Sequence, residues 1–348
     1  MIYRPVSAFD DAWVDRVAEL GSGVSAALAG YQHVVDRTIR SSVDHCALPV
    51  VTDRLAEYFA ANPASLFSLA VAASAGVDPA DAVPVAAASA IWWCAAQMFD
   101  AAMDADPVAG DGLDRKHLQS DIACGMVALG PILTHCLLTD GSVDLSVRAM
   151  WLSDMTDGSI EAAAGQLEDV GLSGMRYHPS AVLARYQRKT GAAFARDVRM
   201  VLRLASGSTG AASDTIPAEQ WIELGRTFGL LRQLHNDWWD FTHYQRDIAN
   251  GTVTLLAACG WSAREAAARP ELEVLMLRAP RDAAARGRLV DAFRSDATLD
   301  LYRFYVRQEH RRGCRLLDVV APPRTIRQAL RIDLDIAAQA ALLGLGRQ

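Results

Sequence analysis

A chain of 348 residues is long enough for one large domain or two small ones, and 51% of it is apolar, so a sizeable core can form without disulfides or structural metals. Its 34 basic and 41 acidic residues give a net charge of −7; they are spread along the chain, and no Lys/Arg-dense block offers a grip on nucleic acid. The six cysteines, Cys46, Cys94, Cys124, Cys136, Cys259 and Cys314, show no CxxC or Cys/His spacing and read as small buried residues in a reducing cytosol.

The amino terminus, MIYRPVSAFDD, has no basic segment followed by an apolar stretch, so no signal peptide is expected and the cytoplasm is the expected location. Residues 1–45 read as a helical extension ahead of a helical domain over 46–348. Two runs, Tyr58–Val77 and Ala82–Phe99, lack Asp, Glu, Lys and Arg, and the first is long enough to span a bilayer. Asn62-Pro63 nevertheless reads as an N-cap followed by proline at the first helical position. Both runs are Ala/Ser-rich rather than Leu/Ile-rich, and the rest of the chain is too charged for a multi-span protein. They are expected as buried helices, not as parts of an integral membrane protein.

Further along, strand signals are nearly absent: no sustained alternation, few β-branched clusters and no hairpin dipeptide between alternating apolars. Ala and Leu at helical spacing dominate. Gly/Pro/Asp clusters at 76–79, 106–112, 139–141, 171–179, 206–217, 279–280 and 322–323 break the pattern and leave room for roughly ten helices of ordinary length. The expectation is a single all-α domain.

Two acidic segments carry the chemistry. Asp100 and Asp104 end an apolar helix four residues apart, so their carboxylates share a face about one turn apart. Two like charges there repel unless a cation lies between them; the plain alternative is a solvated helix end leading into the Pro107 loop. In the second segment Gln233, Asn236, Asp237 and Asp240 form a polar stripe at spacings of three and four. The other faces of that helix carry Leu230, Leu231, Leu234, Trp238 and Trp239. Oxygen-only ligands suit a hard cation such as Mg2+, with a substrate phosphate completing its shell. His235 and His243 read as flanking core or surface residues. Lys189 in an apolar helix, Arg246 after the second acidic segment and Arg115-Lys116 after the first are ordinary surface charges singly. Together they suit a diphosphate held between Mg2+ and cationic side chains.

Taken in order, these segments resemble the trans-prenyl diphosphate synthase (polyprenyl synthetase) family over about Asp53 to Pro322. Gly165-Gln166-Leu-Glu-Asp169 is similar to that family's GQxxD helix, Lys189-Thr190 to its KT helix, and Gln233 to Asp240 to its QxxDDxxD motif. Arg246 to Thr254 is similar to its KDxxxGKxT tail. The resemblance implies an isoprenoid-synthase-type helical bundle surrounding a central cavity, with Mg2+ as cofactor and an allylic prenyl diphosphate as substrate. By the same resemblance Asp100, Asp104, Asn236, Asp237 and Asp240 hold metal, with Asp100, Asp104 and Asp237 central to catalysis. Arg115, Lys189, Gln233 and Arg246 hold the diphosphate. Trp93, Phe99, Gln166, Thr190 and Trp238 line the cavity, since only one member of the pairs Trp92-Trp93 and Trp238-Trp239 can face it.

The departures are informative. Ala101 stands where DDxxD has its second acid, which leaves Asp106 as a substitute, and Asn236 stands where the second motif has its first. The segment equivalent to the cationic GKRxRP, Asn62 to Phe67, has no cation, and Thr252 replaces the tail's second lysine. A diphosphate stripped of its cations in a low-dielectric cavity is strongly disfavoured, so isopentenyl diphosphate is not the expected acceptor. NDxxD resembles the branches that prenylate atypical acceptors, the ComQ-like peptide-modifying enzymes and indole prenyltransferases. The expectation is a prenyltransferase to another small-molecule or peptide acceptor. A class I terpene cyclase and a non-catalytic partner subunit of a prenyl diphosphate synthase are the alternatives, and a homodimer is left open.

Overall fold

The computed structural model describes Val24, 28–46, 49–61, 65–104, 114–139, 141, 143–171, 178–208 and 217–343. Among these residues every regular element is helical, in line with a sequence whose apolar residues recur at helical rather than alternating spacing. In chain order they are α1 (Ala29–Cys46), α2 (Pro49–Ala61), α3 (Phe67–Ser74), α4 (Val83–Asp104), α5 (Asp114–Val127), α6 (Leu133–Leu138), α7 (Leu145–Gly171) and α8 (Pro179–Tyr186). Then follow α9 (Ala192–Ser208), α10 (Ala218–His243), α11 (Arg246–Asn250), α12 (Leu255–Ser262), α13 (Arg269–Arg278), α14 (Ala283–Phe293), α15 (Asp296–Val320) and α16 (Arg324–Leu343). These outnumber the ten expected because α3, α6, α8, α11 and α12 are short pieces cut at turns or π-helical segments. One π segment, Ala128–Ile132, contains Pro131, whose missing N–H breaks the regular ladder. The other, Gln187–Gly191, contains Lys189-Thr190.

The chain forms two compact units. The first comprises Met1–Met155, Asp197–Ile216 and Pro322–Leu330. There α4 is the central element, packed by α1 and α5; Ala86, Ala87 and Ala88 are fully buried beside Ile91, because alanine lets neighbouring backbones approach closely. Two buried acids of this unit are partnered: Ser89 donates to Asp197 at 2.5 Å, and Arg203 holds Asp154 at 3.1 Å. The second unit comprises Thr156–Arg196, Pro217–Ala321 and Arg331–Gln348, with α10 packed along α15. Its α15 buries Thr298, Tyr302, Val306, Glu309, Gly313, Leu317 and Val320, a stripe at spacings of three and four.

By length and composition two helical stretches could cross a membrane, Pro79–Asp100 and Gln119–Leu138. The first contains the expected buried run and is 78% buried over its most apolar window. The second is only 39% buried and exposes Ile122, Met126 and Leu129; the sequence reading did not single it out. The Tyr58–Val77 run is split between α2 and α3, and the expected Asn62-Pro63 cap lies outside the described residues. Five cysteines are buried as expected, whereas Cys46 is half-exposed with its thiol toward the Pro131 carbonyl.

Candidate functional site

The second unit brings three of the resemblance-bearing segments together, and glycine is what permits it. A Cβ on Gly229 of α10 would lie 2.7 Å from the Thr190 carbonyl oxygen and 2.8 Å from the Gly191 Cα. One on Gly165 of α7 would lie 2.5 Å from the Lys189 nitrogen. Both contacts are shorter than any side chain tolerates, so α7 and α10 can meet the Gln187–Gly191 π segment only because neither glycine carries a side chain.

That approach sets up a chain of hydrogen bonds. The Thr190 hydroxyl donates to Gln233 Oε1 at 2.6 Å, and Gln233 Nε2 donates to Asp237 Oδ1 at 2.8 Å. The other carboxylate oxygen of Asp237 accepts from the Tyr186 hydroxyl. Asp237 is 8% exposed, and both of these donors are neutral. A carboxylate has about four lone-pair directions, more than these two bonds use.

Asp240, one turn on and 3% exposed, is held differently. Its Oδ1 accepts from Arg246 Nε at 3.2 Å and its Oδ2 from the Asp247 backbone N–H at 2.9 Å. Arg246 also lies over the Tyr244 ring at 4.8 Å. The reversal that brings Arg246 back onto α10 uses left-handed Gln245 (φ 56°), and α11 closes at left-handed Gly251 (φ 73°). Beyond it the buried Arg185 guanidinium donates to the Val253 carbonyl, tying this tail to α8. Arg188 pairs with Glu168 of the GQxxD-like segment, and Gln166 is half-buried.

The remaining α10 side chains divide cleanly. Asn236 is half-buried. Trp238 is 3% exposed and stacked on Tyr302 at 5.6 Å; burial, reinforced by the charge of Asp237, pushes the Tyr302 phenol well above its ordinary range. Trp239 instead stacks on His243 at 3.7 Å. His235 is a core histidine whose pKa is lowered to about 4 by burial and by Arg232, so it is neutral at pH 7.

In the first unit Asp100 is half-buried near the end of α4. Trp92 is buried, Trp93 half-buried, and the two rings meet edge to face at 5.0 Å. Phe99 packs where a Cβ on Gly125 would come within 3.1 Å of its ring. Asp104 ends α4, and Arg115 and Lys116 begin α5; their side chains, Asp106 and residues 62–64 lie outside the described set. The sequence reading missed Tyr186 and Arg185. Tyr186 lies three and four residues before Lys189 and Thr190, on one helical face with them, and that spacing was a usable signal.

No protein-family model matches the sequence, and no curated protein matches it. Solved structures do. The chain is similar to a polyprenyl synthetase from Streptomyces coelicolor A3(2), with 20% identity over 90% of this chain and 99% of that one and a TM-score of 0.67. It is similar to a polyprenyl synthase from Caulobacter crescentus CB15 complexed with calcium and isoprenyl diphosphate, with 19% identity, coverage of 91% and 97%, and a TM-score of 0.72. A geranylgeranyl pyrophosphate synthase from Corynebacterium glutamicum complexed with isoprenyl diphosphate and magnesium gives 18% identity, coverage of 89% and 98%, and a TM-score of 0.69. The fold is therefore the all-helical fold of the polyprenyl and geranylgeranyl diphosphate synthases, as the sequence resemblance implies.

Proposed function

We propose that the protein is a divalent-metal-dependent transferase that ionises an allylic prenyl diphosphate and passes the prenyl group to an acceptor other than isopentenyl diphosphate. The observation that carries this reading is Asp237: a buried carboxylate positioned on α10 by Tyr186 and Gln233, with Asn236 beside it and Asp240 about one turn on. Carboxylates buried close together on one helix suit a site built for a cation. The donor set of Asp237, Asn236 and Asp240 is all oxygen, which fits a hard ion such as Mg2+. Similar structures complexed with calcium or magnesium and isoprenyl diphosphate support the same choice.

When bound, Mg2+ supplies stabilisation of the negative charge that builds on the leaving diphosphate as its carbon–oxygen bond breaks. Asp237 is the principal ligand, joined by Asn236 and Asp240; Asp100 and Asp104 have the same role in the first motif. Gln233 orients Asp237, and Thr190 orients Gln233. In the second unit Lys189 and Arg246 are the cations for diphosphate oxygens, and Arg115 has that role after the first motif. Trp93 and Phe99, beside the first acidic motif, offer ring faces to the allylic cation; Trp238, expected to do the same, is instead packed on Tyr302 in the core of the second unit.

The acceptor assignment rests on Asn62 to Phe67, where no cation is available for a second diphosphate. Purified protein with Mg2+ and geranyl, farnesyl or geranylgeranyl diphosphate tests the whole reading. Diphosphate release that requires an added indole, peptide or similar acceptor is the expected result. Elongation with isopentenyl diphosphate overturns the acceptor assignment. A cyclic hydrocarbon or alcohol formed from the diphosphate alone makes the protein a cyclase, and no release under any condition removes catalysis altogether.

A further inference from the structure

Away from the acidic motif, the second unit places three different metal-ligating side chains together. His310 and Cys314 are four residues apart on α15 and so share one face; Asp335 reaches the same place from α16. His310 Nε2 is 2.6 Å from Asp335 Oδ1, Cys314 Sγ is 3.6 Å from His310 Nε2, and the three donor atoms lie within 4.8 Å of one another. We propose that His310, Cys314 and Asp335 bind a zinc-class divalent transition metal, separately from the hard cation of the acidic motifs.

The donor chemistry separates the two sites. Thiolate, imidazole and carboxylate together are a zinc-type set, whereas Asp237 and its neighbours offer oxygen alone. The geometry agrees. Tetrahedral zinc with ordinary Zn–N and Zn–S bonds holds those two ligand atoms about 3.6 Å apart, and His310 Nε2 and Cys314 Sγ already have that separation. The His310–Asp335 hydrogen bond has to open by under about 1 Å to admit the ion. On entry the thiol releases its proton to solvent and the imidazole proton moves from Nε2 to Nδ1, leaving three lone pairs for the metal.

The burial gradient supplies the fourth position. Cys314 is 8% exposed at the closed end, while the side chains of His310 and Asp335 are 21% and 34% exposed at the mouth, where water can complete the shell. Arg331 is the competing cation, with Nε 3.5 Å from Asp335 Oδ1. An occupied site cross-links α16 to α15. The same α16 presents the Ile336 backbone to His235 and Asp333 to Arg232, so the cross-link also holds it against α10.

The test uses the full chain, reduced and stripped with a chelator, titrated with Zn2+ against a chromogenic chelator and separately with Co2+. One equivalent of zinc and a thiolate-to-cobalt charge-transfer band are expected. Cys314→Ser, nearly isosteric, and His310→Gln should each weaken zinc by at least about tenfold and alter or abolish that band, with helical circular dichroism unchanged. Asp237→Asn should leave both signals in place. No zinc uptake by folded wild-type protein overturns the proposal. So does zinc affinity that is equal in wild type, Cys314→Ser and His310→Gln, or that is lost in Asp237→Asn but kept in Cys314→Ser.

Discussion

Asp237 and Asp240 sit about one turn apart on α10, both buried, and are held by different donors. Asp237 accepts from two neutral donors, Tyr186 and Gln233. Asp240 accepts from a guanidinium and a backbone N–H, Arg246 and Asp247. Tyr186 and Gln233 leave the Asp237 carboxylate open to a cation brought beside it. A carboxylate already paired with arginine has its charge answered and serves first as a clamp on the chain. On the proposed reading Asp237 is the first of the metal ligands, while Asp240 also anchors the chain reversal after α10.

The largest test of that division is Asp237→Ala. Loss of the principal charge-stabilising contact should lower turnover by at least about 10²–10³-fold, while the circular dichroism stays near wild type because Tyr186 and Gln233 remain packed. Full activity in this variant would refute the metal assignment and, with it, the contrast between the two acids.

A control lies on the opposite face of α10, where Arg232 acts on His235 and on Asp333 of α16. His235 has its pKa lowered to about 4 from 6.5, so the unfolded chain binds more protons between those values. Its contribution is complete above about pH 6.5 and is lost as pH falls toward 4. Asp333 has its pKa raised from 3.8 to about 6 by burial, against the pull of Arg232. The folded chain then binds more protons in that window, and this contribution is lost as pH rises from about 4 to 6. Each amounts to about 3 kcal/mol across its window, and they oppose each other. Urea unfolding of wild type should show little net slope from this pair between about pH 4 and 6. Asp333→Asn should make stability fall on acidification, and His235→Gln should make it fall as pH rises. If both variants keep the wild-type profile, the α10–α16 contact is not the one described here.

The sequence made some of this legible and hid the rest for physical reasons. Helical class followed from apolar spacing, and the meeting of Gly165, Lys189-Thr190 and Gln233 was implied by the family-like motifs. The partition of Asp237 from Asp240 was not, because it depends on a reversal at Gln245 that swings Arg246 back to α10. A non-glycine residue in the left-handed region carries no turn signature in the sequence. Tyr186 escaped notice because an aromatic in an apolar helix reads as core until its hydroxyl has a partner. Cys314 was passed over for a related reason. Its spacing from His310 is helical rather than that of a zinc finger, and Asp335 joins them only when α16 packs on α15.

Stability sharpens the comparison further. Asp240→Ala removes an acceptor from the half-buried Asp247 N–H and a partner from Arg246, and should cost about 2 kcal/mol in urea unfolding. Tyr186→Phe removes one hydrogen bond to a charged group and should cost about 1.5 kcal/mol. Added Mg2+ with pyrophosphate should recover part of that loss in Tyr186→Phe, since the freed oxygen of Asp237 can turn to the metal, and none of it in Asp240→Ala. Equal recovery in both variants would erase the distinction between the two acids.

Arg246 gives the smallest and finest effect. Its side chain is 52% exposed, so solvent screens its pairing with Asp240, and a double-mutant cycle on Asp240 and Arg246 should return a coupling of about 0.5 kcal/mol. If Arg246 also serves the diphosphate, it has to leave Asp240 when that anion arrives. The coupling should then fall toward zero with Mg2+ and pyrophosphate present, and Arg246→Ala should weaken pyrophosphate binding. A coupling that persists unchanged would confine Arg246 to the clamp and leave Lys189 as the cation of the second unit that meets the substrate.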